Sequence, residues 1–393
     1  MDGLDSLFEN RSVVGAKLEG LLEDRKYTKT GFCKECGISR PTLNKILNGT
    51  IRSEAHFEKH MEKILRCLSI SPDALWENAP LVHSRTRQFR TQLHIDKEEI
   101  SAALDIPVRR LEEIEAGAAT TNAELRDLAV YLGTSTHCIL AQNVFYPQTT
   151  KLSYFIDGVE DEDAELSGFW GHVGILPSGT TQYLWYPITS NEAEQLHYAM
   201  QREHALVPCM DNKLLYLNLR KIKSIVLLED SCDPPYYYNW DPSVEEEEIP
   251  LVVYEVLSDY ISDTKEGVGI TDTEYSPKLR EYLDALIEER KWTEEDAYQM
   301  VKGIRIRYAD GSVVSNDLDV NIHTGYLRGV DIIDAIDNLD LTDEAPRYLA
   351  FTDWNEAVTY LNMDEIAMLE LPLLAVEKEI MRRYENLMRD KWE

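Results

Sequence analysis

Apolar residues recur at helical spacing along the N-terminal stretch, in short runs separated by caps and glycines. Over 12–26, Val14, Leu18, Leu21 and Leu22 fall on one face of a helix. Thr28 then stands as an N-cap for a short helix ending at Cys36, with Phe32, Cys33 and Cys36 turned inward. Gly37 stops that helix and Ile38 plugs the turn. Ser39 caps the next helix, Pro41 sits in its first turn where no N–H is needed, and Leu43, Ile46 and Leu47 form its apolar side. Asn48-Gly49 ends it, and Ser53 caps a fourth helix carrying Phe57, Met61, Ile64, Leu65 and Leu68.

The same pattern returns over 86–140. Asp96 caps a helix with Ile100 and Leu104, Ile106 plugs a turn, Pro107, Leu111, Ile114 and Gly117 frame a third helix, and Leu125, Leu128 and Leu132 a fourth. Beyond a connector over 146–166 the period changes toward two. Strands are predicted around Ser178-Gly179, as a pair over 214–230 meeting at Ile222, around Asp310-Gly311, and as a later pair over 358–371. Tyr216-Leu217-Asn218-Leu219 and Ile222 match Tyr360-Leu361-Asn362-Met363 and Ile366 at a constant offset of 144, which points to a second internal duplication. Two helical stretches, near 250–262 and 277–302, separate the halves. A final helix carries Leu374, Val376, Ile380, Tyr384 and Leu387 along one side, facing either the body or a second subunit.

Charge sharpens this division. The whole chain of 393 residues carries a net −31, yet residues 1–90 hold 15 Lys and Arg against 12 Asp and Glu, and residues 91–393 hold 25 against 59. A basic head can approach phosphate, whereas the acidic remainder is repelled by it.

A short helix, a tight turn and a second short helix with a polar outer face make a helix-turn-helix unit. In "TKTGFCKECGISRPTLNKILNG", residues Thr28, Phe32, Cys33, Gly37, Ile38, Ser39, Thr42, Leu43, Ile46 and Gly49 carry a likeness. On them, 13–76 resembles the lambda-repressor/Cro-type (XRE) DNA-binding domain. Leu47, where that family commonly has Glu, and the paired cysteines depart from it. The resemblance implies that the third helix enters the major groove, with Arg40, Thr42, Asn44 and Lys45 at base edges. Lys29, Thr50 and Arg52 would hold phosphates and set the register. In the second copy Glu115 matches the family better, and Arg109 and Arg110 could meet DNA. There, however, Glu112 and Glu113 replace Asn44 and Lys45, and 91–145 hold 4 basic and 9 acidic residues, so this copy is a weak reader or a structural or dimerising module.

Other chemistry is sparse. Cys33-x-x-Cys36 would need two more ligands for zinc, from His56, His60 or Cys67, but these cysteines fall where the family places small core residues. No phosphate-cradling loop, nucleophile elbow or H-E-x-x-H occurs, so no enzyme, metal or cofactor is expected. The aromatic and acidic segment 231–250 reads as an exposed loop. No apolar run is long enough for a membrane span, and the few cysteines fit a reducing cytoplasm.

The expectation is an α+β multidomain chain. It comprises a helix-turn-helix domain over 1–80, a second, more acidic one over 86–145, a β unit over 151–249 weakly similar to Sm-like or SH3-like barrels, and helices, a second such unit and a terminal helix over 250–393. Its expected function is sequence-specific binding of double-stranded DNA as a homodimeric transcriptional repressor. The acidic body would serve oligomerisation or sensing of a small-molecule effector. The alternative is an antitoxin or defence-system protein whose acidic body binds a protein partner, DNA binding being autoregulatory.

Overall fold

The computed structural model describes residues 7–8, 11–24, 27–48, 51, 54–68, 75, 84–150, 166–232, 249–266, 271–317, 332–337, 347–352 and 358–390. The chain is mixed α+β, with helices in its N-terminal region and a sheet-rich C-terminal body. It divides into two compact units, Met1–Arg87 with Ser101–Thr120, and Gln88–Ile100 with Thr121–Glu393.

In the first unit, α1 (Arg11–Asp24), α2 (Lys29–Cys36), α3 (Arg40–Leu47) and α4 (Glu54–Leu68) enclose one core. Val14, Leu18, Phe32, Leu43, Ile46, Phe57, Met61 and Ile64 are all fully buried there. Local chemistry fixes the turn between α2 and α3. Thr28 Oγ1 accepts from the Gly31 amide, and Ser39 Oγ accepts from the Thr42 amide, so each helix has its N-cap. Gly37 takes φ 67°, a left-handed conformation that ends α2, and its N–H donates to the Cys33 carbonyl. Lys63 of α4 donates to the Gly37 carbonyl at 3.4 Å, placing a cation at the negative end of α2. The cap expected at Ser53 lies outside the described residues.

Two further helices, α5 (Thr86–Gln92) and α6 (Lys97–Leu104), run through the division between the units. The first unit also holds α7 (Val108–Glu115), with Leu111 and Ile114 buried. Its N-cap residue is Pro107, which offers no side-chain hydrogen bond.

In the second unit, α8 (Asn122–Leu132) begins with a capping box between Thr121 and Glu124. A short α9 (Thr136–Ile139) follows. The α8 helix is fastened to the body. Ala123 N–H donates to the Thr273 carbonyl at 2.9 Å, Arg126 donates to the Glu274 carbonyl at 2.8 Å, and Ser276 donates to Asp127 at 2.7 Å.

The strands are β1 (Gln148–Thr149), β2 (Ser167–Pro177), β3 (Leu184–Thr189), β4 (His204–Pro208), β5 (Lys213–Asn218) and β6 (Ile222–Glu229), then β7 (Gly303–Tyr308), β8 (Val313–Asp317), β9 (Tyr348–Thr352), β10 (Val358–Asn362) and β11 (Ile366–Pro372). The pairs expected around Ser178-Gly179 and Asp310-Gly311 are β2·β3 and β7·β8. The two turns themselves touch, for a Cβ at Gly179 would collide with the backbone of Asp310 and Gly311. Long-range pairing then joins the halves. A five-stranded sheet runs β4-β5-β11-β7-β8, with β5 antiparallel to β11. Strand β2 pairs with β1, β3 and β6, while β9 pairs with β10.

Helices fill the gaps. These are α10 (Ser190–Ala199), α11 (Leu251–Glu266), α12 (Pro277–Arg290), α13 (Glu294–Lys302), α14 (Ile332–Asp337) and α15 (Leu373–Asp390). The stretch expected as one helix over 277–302 is two. Lys291 adopts φ 54° and ends α12, and a capping box between Thr293 and Asp296 starts α13. Helices α10 and α14 and strands β4 and β9 were not expected from the sequence. The terminal helix packs on its own body, with Leu373, Val376 and Ile380 in one core cluster and Leu374 in another. The acidic loop over 233–248 and most of the connector, 151–165, lie outside the described residues.

Candidate nucleic-acid interface

The apolar side of α3 is sealed by Leu43, Ile46 and Leu47. Its opposite side exposes Arg40, Pro41, Lys45 and Asn48, with Thr42 and Asn44 half-buried at the margins. Two cations therefore sit on the outward face of a short helix whose orientation is dictated by its buried face. Thr42 Oγ1 lies 2.7 Å from Ser39 Oγ, tying this hydroxyl to the cap. Asn44 Oδ1 is shut off from solvent and, among the described residues, has no hydrogen-bond partner. An amide gripping adenine needs that oxygen as its acceptor, so Asn44 must swing outward to read a base. Asn48, exposed at the C-cap beside Lys45, was not singled out in the sequence because it reads as a helix stop.

Gly15 of α1 positions the helix. A Cβ there would collide with the carbonyl oxygens of Ile46 and Leu47. A glycine in the middle of a helix weakens it, and that cost at Gly15 is the sequence signal for a close approach.

Lys29 is the first residue of α2, exposed, and 2.9 Å from Glu19 of α1. Thr50 and Arg52 lie outside the described residues. In the later segment Arg109 is 90% exposed and pairs with Glu113 at 3.4 Å. Arg110 turns back on its own unit, donating to the Ala119 carbonyl at 2.7 Å with Glu113 at 3.5 Å. Glu115, the last residue of α7, is buried with Arg87 at 3.3 Å.

Cys33 and Cys36 belong to the core of the first unit. Burial, with Cys67 beside it, pushes the Cys36 thiol up to about 12, and burial also raises Cys33 against the opposing charge of Arg40. These are neutral thiols. His56 and His60 meet edge to face on α4 with their Nε2 atoms 3.2 Å apart. Among the described residues no group of three His, Cys, Asp or Glu is placed to hold a metal ion.

The second unit contains a cavity of about 460 Å³, lined among others by Arg126, His137, Tyr254, Glu255, Lys302 and Arg382. The Glu255 carboxylate accepts from Thr136 N–H at 2.9 Å and from its hydroxyl at 2.5 Å. Burial nevertheless pushes Glu255 up to about 7 and His137 down to about 4.

No helix among the described residues is long and apolar enough to cross a membrane. No curated protein and no solved structure shows a significant match to the chain. Residues 17–77 match the Cro/C1-type HTH DNA-binding domain family. This match supports a DNA-binding transcription regulator, and the four-helix core with its capped, outward-facing α3 is a helix-turn-helix DNA-binding domain of Cro/C1 type.

Proposed function

We propose that the protein is a sequence-specific transcriptional repressor that reads double-stranded DNA through α3. The observation that carries this reading is the exposure of Arg40 and Lys45 on the side of α3 opposite Leu43 and Ile46. Arg40 and Asn44 recognise bases, Thr42 and Lys45 flank them, and Lys29, Thr50 and Arg52 hold phosphates. Residues 86–145 form a second helix-turn-helix copy with a structural role. Two features support this: Arg110 is engaged with its own unit, and α8 is fastened to the body. Arg109 is the one cation of that copy proposed to approach a phosphate.

The body acts as the sensor. Its cavity mixes cations with buried carboxylates, which suits a small polar effector. A second reading, an antitoxin or defence protein with a basic protein partner, is favoured by the excess of 59 acidic over 25 basic residues across 91–393. Genome-wide selection of bound DNA by the full chain, compared with a chain lacking residues 1–80, tests the first reading. Enrichment of one motif by the full chain alone supports it. Equal enrichment by both sinks it. Recovery of one stoichiometric basic protein, without motif enrichment, favours the second.

A further inference from the structure

The body contains one β-seam and two strand edges that match its two sides. The seam joins β5 to β11, with Leu217 opposite Met368, Tyr216 opposite Leu369, Leu215 opposite Glu370 and Leu214 opposite Leu371. Leu214, Tyr216, Leu369 and Leu371 are buried in one core cluster.

Shifting each side by 144 residues carries β5 onto β10 and β11 onto β6. The neighbours correspond as well. Strand β6 pairs with β2, which pairs with β3, just as β11 pairs with β7, which pairs with β8. Strand β4 pairs with β5 as β9 pairs with β10. A 3₁₀ turn, Leu219–Lys221, joins β5 to β6, and a turn at Met363–Glu365 joins β10 to β11.

What differs is the cover. Among the described residues β6 pairs only with β2, and β10 only with β9. Tyr360 is 55% exposed where its counterpart Tyr216 is 0%, Val358 is 44% where Leu214 is 0%, and Leu227 is 41% where Leu371 is 1%. Three of the four residues that seal the internal seam thus have exposed counterparts on the two outer edges, and the fourth, Ile225, is half-buried. Such edges are templates for strand addition.

We propose that copies of this chain join head to tail, the β10 edge of one adding antiparallel to the β6 edge of the next. The internal seam supplies the register: Leu361 opposite Ser224, Tyr360 opposite Ile225, Thr359 opposite Val226 and Val358 opposite Leu227. It also supplies a polar lock. Asn218 Nδ2 donates to the carbonyls of Met363 and Ile366 at 3.0 and 3.1 Å. Asn362 stands at the equivalent place, facing the carbonyls of Leu219 and Ile222 in the next copy. A joint of this kind is heterologous, so it closes into a ring or grows as a filament, unlike the two-fold homodimer expected from the sequence. It goes beyond the DNA-reading role and stands without it.

The test is sedimentation of the full chain beside Leu227→Lys and Tyr360→Lys, each at a side chain already exposed in the single chain. Far-UV spectra matching wild type establish that both variants are folded. The wild type is expected to sediment as two or more chains, and each variant alone as one. An equimolar mixture is expected as a two-chain complex, because one variant keeps a sound β10 edge and the other a sound β6 edge. A wild type of single-chain mass, a folded variant that keeps the wild-type mass, or a mixture of folded variants that stays at one chain overturns the proposal.

Discussion

Gly15 lies against the Leu47 carbonyl so closely that no side chain fits between α1 and the C-terminal end of α3. The backbone contact sets how closely α3 packs on α1. Replacing Gly15 with Ala relieves the entropic penalty of glycine in a helix but forces the two elements apart. Overpacking of this kind costs about 1–3 kcal/mol. Gly15→Ala is therefore expected to destabilise the first unit and to speed hydrogen exchange across α3, with weaker DNA binding. Exchange rates unchanged from wild type would remove this role.

Ser39 Oγ caps α3, accepting from the Thr42 amide at 3.2 Å. Ser39→Ala should lower the unfolding free energy by about 1 kcal/mol, and Ser39→Asp should retain most of it. Denaturant titration of the three proteins checks this. Pro107 at the corresponding place of α7 makes no such bond, so Pro107→Ala removes no cap there.

Substitutions at Lys29 and Arg40 would separate positioning from reading. If Lys29 holds a phosphate, Lys29→Ala weakens binding to every sequence alike and reduces the salt slope by about one counterion. Its ion pair with Glu19 at 2.9 Å is exposed, so its loss alters fold stability little. Binding isotherms across a salt series measure both. A slope equal to that of wild type would exclude a phosphate contact.

Glu255 gives the body a pH dependence of definite sign. Its carboxyl titrates near 7 in the fold, raised by burial from an ordinary value of 4.5. Between those two values the native state holds a proton that the unfolded chain has released. The site's contribution to stability therefore falls as pH rises through this window and is flat above about 7. His137, held near 4 by burial, works in the opposite sense between about 4 and its ordinary 6.5, in wild type and variant alike. Glu255→Gln should gain on wild type by on the order of 3 kcal/mol between pH 4.5 and 8. Thermal melts of both proteins across that range read the difference, and parallel curves would contradict it.

Much of the first unit is legible from local chemistry. Thr28, Gly37, Ser39 and Pro41 act within a few residues of themselves, and the burial of Phe32, Leu43, Ile46 and Phe57 follows from helical spacing. The orientation of Asn44 is not legible, because helical spacing does not tell whether its Oδ1 is shut off from solvent. In the body, the hairpins at Ser178-Gly179 and Asp310-Gly311 announce themselves by their turn residues. The pairing of β5 with β11 does not, since it joins residues about 150 apart with no turn to fix the register. The break at Lys291 escaped notice because lysine rarely takes a left-handed conformation.

The proposed repressor function requires that α3 read bases. The most direct measurement is selection of DNA motifs by full-length wild type and Arg40→Ala, followed by affinities on the selected site. The predicted result is a loss of about 1–3 kcal/mol, with relaxed preference at one base pair and intact preference elsewhere. An Arg40→Ala protein that selects the same motif with the same affinity would contradict it.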